Sequence, residues 1–139
     1  MMNIPIIIIC YNNYRYVKNI VEQLIKINSD LQKQIIIMDN KSTNIDTINY
    51  LNECKINIIW NKNNNGPWIS DTNNTEIYNI LPDRFILTDP DLELNPNIPS
   101  NFIEILYSLS LQYNCSKVGF ALDISDWEKM INCKNYIHN

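Results

Sequence analysis

Short, largely apolar runs alternate along this chain with longer stretches in which apolar residues recur every three or four positions. Ile4–Cys10 (IPIIIIC), Ile35–Met38, Ile56–Trp60, Phe85–Thr88 and Lys117–Asp123 are the short runs. They have strand length and are rich in β-branched and aromatic residues, as expected of strands buried on both faces. Between them, Tyr14–Asn28 carries Val17, Ile20, Val21, Leu24 and either Ile25 or Ile27 at helical spacing. Asn44–Cys54 (Ile45, Ile48, Leu51 and Tyr50 inward), Glu76–Leu81 and Phe102–Tyr113 (Ile103, Leu106, Leu109 and Ile105 inward) predict three more helices. A last short helix, capped by Ser125 or Asp126, runs to about Met130, and 132–139 predicts no regular element. Asn12 or Asn13 is placed to cap the first helix, and Ser42, Thr43 or Asn44 the second. Strand–helix alternation predicts an α/β fold: a mostly parallel sheet with helices on both faces, Rossmann-like, built from right-handed crossovers.

In a parallel sheet every strand's carboxyl end lies on one edge, where such folds bind ligands. That edge collects Tyr11, Asn12 and Asn13 after the first strand, Asp39, Asn40 and Ser42 after the second, and Asn65-Gly66-Pro67-Trp68 after the third. Asp89 and Asp91 follow the fourth, and Asp123 and Asp126 the fifth. The fourth strand ends in Asp89-Pro90-Asp91, where Pro90 cannot continue the ladder. Two hard carboxylates one residue apart suit Mg²⁺ or Mn²⁺, with diphosphate oxygens completing the coordination; the same residues also make an ordinary polar turn. Only Arg15, Lys41 and Lys62 are positive nearby, which suits a diphosphate whose charge a cation meets.

Composition narrows the classes further. At 139 residues and 45% hydrophobic, 19% charged, the chain predicts a single globular domain. A net charge of −4 without any Lys/Arg block argues against nucleic-acid binding. The four cysteines lack metal-ligand spacing and predict reduced, buried thiols in a cytoplasmic protein. The Ile4–Cys10 run is too short to span a membrane and lacks a signal peptide's flanks. Phosphate-binding G-x-x-x-x-G-K-[ST] and dinucleotide-binding G-x-G-x-x-G patterns are absent. Ile and Asn dominate, as an AT-rich genome would give; with only two Gly, left-handed turn positions fall to Asn.

The ordered set Ile6–Cys10 into Tyr11-Asn12, Asp39, Asn65-Gly66-Pro67 and Thr88-Asp89-Pro90-Asp91 resembles a GT-A glycosyltransferase of family 2, over nearly the whole chain. Thr88–Pro96 followed by Lys117–Asp126 is similar to a bacterial and viral subset of that family. The resemblance implies a divalent-metal-dependent transfer, inverting by analogy, from a nucleoside-diphosphate sugar (a UDP-sugar favoured) to a hydroxyl of a glycan, lipid or protein. By the same resemblance Cys10, Tyr11 and Asn12 line the nucleoside pocket, Tyr14 stacks near the base, and Asp39 bonds uracil or ribose, with Asn40 beside it. Asn65, Gly66 and Pro67 bring the chain close to the nucleotide, Asp89 contacts the ribose or a metal-bound water, and Asp91 ligates Mn²⁺ or Mg²⁺.

Family members carry an acceptor-binding half downstream of this motif, whereas 48 residues follow Asp91 here. The expectation is one nucleotide-sugar-binding domain over 1–139 with a short or missing acceptor half. Asp123 and Asp126 are the candidates for the base. A fragment of a larger enzyme, a natural short form and a non-catalytic module or subunit all fit, as does a homo-oligomer covering an exposed apolar face. A sugar nucleotidyltransferase would need a basic Gly-rich loop where Tyr11-Asn12-Asn13-Tyr14 stands, and a receiver-like domain a Lys after the last strand; neither is present.

Overall fold

The computed structural model describes residues 3–67, 75–123 and Ser125. Four parallel strands, β1 (Ile6–Cys10), β2 (Ile35–Asp39), β3 (Asn57–Trp60) and β4 (Ile86–Thr88), form one sheet in the order β3-β2-β1-β4. Among the described residues four helices accompany them: α1 (Tyr14–Ile27), α2 (Ile45–Glu53), α3 (Thr75–Ile80) and α4 (Phe102–Gln112), with a 3₁₀ turn at Ser29–Lys33. Residues up to Ile103 group as one compact unit and those from Glu104 as a second.

The isoleucine runs are strands because both faces of the central pair are covered. All of β1 is buried, and its register aligns Ile7 with Ile36 and Ile9 with Met38. On that face Ile7, Ile9 and Met38 form a core cluster with Ile36, Ile59, Leu81 and Phe85. Ile6, Ile8, Ile35 and Ile37 point to the opposite face, the side of α1 and α2, since right-handed crossovers from β1 to β2 and from β2 to β3 pass on one side. The stripe Val17, Ile20, Val21 and Leu24 of α1 is buried, as the spacing predicts.

Helix ends depart from expectation in one place. Asn13 occupies the N-cap position of α1, but its side chain makes no capping bond; Oδ1 accepts from the Tyr11 backbone N–H at 3.1 Å instead. Asn44 does cap α2, accepting from Thr47 N at 2.9 Å. Asn28 ends α1 in an extended conformation, and its Oδ1 accepts from Asp30 N at 3.0 Å to start the 3₁₀ turn.

Three expectations are corrected. Lys117–Asp123 forms no strand and leaves Phe120 and Leu122 exposed; a strand needs a ladder, and the described sheet does not include this segment. The inward face of α2 is Thr47 and Leu51, with Ile45 64% exposed at the first helical position. Along α4 only Phe102 and Ile103 are buried, and Ile105 is exposed. Of the thiols, Cys10 is buried, Cys54 half-buried and Cys115 exposed, all unpaired. The predicted helix to Met130, Trp68, Asp126 and Cys133 lie outside the described residues.

Among the described residues, left-handed backbone falls to Asn12 (φ 55°), Lys41 (φ 61°), Asn114 (φ 47°) and Gly66 (φ 78°). Two of the three non-glycine positions are Asn, the residue whose short amide best tolerates this region. Asn114 closes α4 as glycine commonly would: Asn114 N donates to Leu111 O and Cys115 N to Ser110 O, the paired bonds of a left-handed helix stop. No helix among the described residues is long and apolar enough to cross a membrane.

Candidate functional site

The chain moves outward from β1 to β2 to β3, then returns to add β4 on the other side of β1. This reversal opens a crevice at the carboxyl ends of β1 and β4, since the connections leaving them diverge. A cleft of about 380 Å³ lies there, lined by Asn13, Tyr16, Asp89, Pro90 and Asp91. Both carboxylates of the Asp-Pro-Asp turn are exposed. Tyr16, which sequence reasoning passed over, is 57% exposed on the first turn of α1. Its signal was present: two residues into a helix that starts just after a central strand, an aromatic residue reaches the crevice.

Beside the cleft, the loops after β1, β2 and β3 are tied by a polar lattice. Asp39, 2% exposed, accepts from Ser42 N at 3.0 Å and from the Ser42 hydroxyl at 2.5 Å. Ser42 Oγ in turn accepts from the Asn12 backbone N–H at 2.9 Å. Asn12 Oδ1 accepts from Thr43 N and Asn44 N, each at 2.8 Å, and its Nδ2 donates to Thr43 Oγ1 at 3.2 Å. Asn40 N donates to Cys10 O at 2.8 Å, and Asn40 Nδ2 to Gly66 O at 2.7 Å. Asn61 Nδ2 donates to Asn40 Oδ1 at 2.7 Å. Short amide side chains thus stand where a glycine-rich site would use bare backbone, and every buried polar side-chain atom among the described residues finds a partner. Strand-end reading places Ser42 on this edge; Thr43 and Asn61 are the members it missed, revealed by contacts across 31 and 21 residues.

The individual sites follow. Cys10 is fully buried; its backbone carbonyl holds Asn40, and its thiol interacts with Ser42, Asp39 and the Asn13 backbone. Burial, with the Asp39 carboxylate adding to it, pushes the Cys10 thiol up to about 12, leaving it neutral and inert. Tyr11 is 45% exposed at the strand end. Tyr14 packs against Tyr50 with ring centroids 6.0 Å apart, and the Arg15 guanidinium sits 5.9 Å from its ring centre. Gly66 takes a left-handed turn conformation with φ +78°, and a Cβ there would meet no protein atom within 4 Å. Asn65 is half-buried and Pro67 exposed in the same loop.

Asp123, in the second unit, is exposed and accepts from Ser125 N at 2.8 Å. That bond holds its carboxyl below the usual range. Among the described residues no group of three or more His, Cys, Asp or Glu converges as a metal cage. The Asp89–Asp91 pair nevertheless fits a cation shared with a diphosphate, because such sites take one or two protein carboxylates and fill the rest from phosphate and water.

Comparison with known proteins agrees with this architecture. Among solved structures, the chain is similar to the crystal structure of S. aureus TarS 1-349, with a TM-score of 0.53 and 16% identity, covering 81% of this chain and 33% of that one. The likeness is one of fold, GT-A in type, and the chain spans about a third of that structure's length. No curated protein matches the chain. The profile described as Glycosyl transferase family 2 matches residues 6–122, from the first residue of β1 across all four strands and the cleft, and the chain therefore belongs to glycosyl transferase family 2.

Proposed function

We propose that this chain is the donor-binding domain of a GT-A glycosyltransferase that uses a nucleoside-diphosphate sugar and a divalent cation. The observation that carries this reading is that Asp89 and Asp91 line a cleft at the reversal point between β1 and β4. Family membership supports glycosyl transfer as the chemistry. Asp91 is the direct ligand of Mn²⁺ or Mg²⁺, and Asp89 contacts the ribose or a bound water. When bound, the cation neutralises charge on the departing diphosphate. Tyr11, Asn12 and Asn40, with the backbone of Cys10, form the nucleoside side, and Asp39 orders it through Ser42. The loop at Asn65-Gly66-Pro67 borders it. UDP is the favoured nucleotide. The acceptor hydroxyl, on a glycan, lipid or protein, attacks the anomeric carbon; the bond to diphosphate breaks, and a carboxylate takes the hydroxyl proton. Asp123 and Asp126 are the proposed bases, with inversion the expected outcome.

The second reading is a nucleotide-sugar-binding module without turnover. Asp123 favours it, because an exposed carboxylate held by Ser125 with a lowered pKa is a weak base. A panel of UDP- and GDP-sugars with Mn²⁺, assayed for release of nucleoside diphosphate, separates the two. Release proportional to enzyme supports the transferase; donor binding with no release at any enzyme concentration supports the module.

A further inference from the structure

We propose that Gln23 is a positioning residue for Asp91, an inference that rests on the donor-site reading above. Gln23 lies on α1 seven residues after Tyr16, two helical turns along the same face. Tyr16 borders Asp89-Pro90-Asp91 in the cleft, and Gln23 grips the chain just beyond. Its Nε2 donates to Leu92 O at 3.2 Å, and its Oε1 accepts from Leu94 N at 2.6 Å. Only one orientation of the amide satisfies both, since the flipped one would set donor on donor and acceptor on acceptor.

One side chain thereby does for this segment what a residue of a neighbouring parallel strand does, bonding the carbonyl and N–H that flank a single residue. Exposure alternates along the segment: Asp91, Glu93 and Asn95 are exposed while Leu92 and Leu94 are half-buried. It forms no strand, so no described ladder fixes its register. A slip of one residue would turn Asp91 inward and Leu92 toward the cleft. Gln23 blocks that slip one peptide beyond the proposed ligand. Asn28, at the end of α1, adds a longer contact, Nδ2 to Ser100 O at 3.5 Å, farther along the same connection.

The test is Mn²⁺ titration followed by the electron paramagnetic resonance of free Mn²⁺, at saturating UDP, in the wild type, Gln23→Met, Asp91→Asn and the double variant. Loss of two hydrogen bonds predicts Mn²⁺ binding weakened about tenfold in Gln23→Met. UDP affinity without metal should stay at the wild-type value. In the Asp91→Asn background Gln23→Met should add less than about twofold, because a residue acting through Asp91 has nothing left to position. Gln23→Glu, of the same size, keeps an acceptor for Leu94 N but loses the donor to Leu92 O, and should weaken Mn²⁺ binding even if Gln23→Met fails to fold. Wild-type Mn²⁺ affinity in a folded Gln23 variant, or the same loss with and without Asp91, overturns the inference alone. No UDP-dependent Mn²⁺ binding in the wild type overturns the donor-site reading and the inference with it.

Discussion

Ser42 holds Asp39 by two hydrogen bonds, backbone N–H to Oδ2 at 3.0 Å and hydroxyl to Oδ1 at 2.5 Å. Because the hydroxyl also accepts from Asn12 N, one serine joins the loops that follow β1 and β2. Ser42→Ala removes the hydroxyl and leaves the Asn12 N–H without its acceptor and Asp39 Oδ1 without its donor. The expected cost is about 2 kcal/mol of folding stability, read as a lower urea midpoint at unchanged m-value. A midpoint equal to the wild type's would contradict the lattice.

Asn12 combines left-handed backbone with an amide that bridges to Thr43 and Asn44. The two contributions separate in two variants. Asn12→Gly keeps the backbone conformation and loses the amide bonds; Asn12→Ala loses both. Thermal unfolding should rank wild type above Gly and Gly above Ala, the last step being about 1 kcal/mol. Alanine at least as stable as glycine would show that the left-handed conformation is not held.

Alkaline pH should destabilise the fold. Burial is the main cause raising both the Cys10 thiol, from 9.0 to about 12, and the Tyr50 phenol, from 10.0 to about 12. Between those limits the native state keeps protons that the unfolded chain releases. Their contribution is therefore fully present below about pH 9 and is lost as pH rises toward 12. Urea midpoints measured from pH 8 upward should fall, and Cys10→Ala should flatten the decline. An equal slope in that variant would rule out Cys10 as a source.

Much of the fold was legible because the strands sit at the two-sided extreme. Ile6–Cys10 and Ile35–Met38 are continuous apolar runs of strand length, rich in β-branched residues and bounded by turn residues. The edges were harder. Lys117–Asp123 has strand composition, but composition cannot supply a ladder partner. Ile45 matches helical spacing yet lies at the first turn of α2, where Thr47 faces inward instead. At the site, Asp89 and Asp91 were readable from Pro90 ending a strand. Tyr16 was recoverable from its place on α1 and Ser42 from its place just after β2, whereas Gln23 acts across about 70 residues and leaves no local mark.

The most direct test of the donor site is the melting temperature of the wild type and of Asp91→Ala with UDP, GDP and other nucleoside diphosphates, with and without Mn²⁺. A ligand that binds only the native state raises it by mass action, about 2.7 kcal/mol of stability at a hundred times Kd. The account predicts a shift that needs both nucleotide and Mn²⁺ in the wild type and vanishes in Asp91→Ala. No shift with any nucleotide, or an undiminished one in Asp91→Ala, would contradict it.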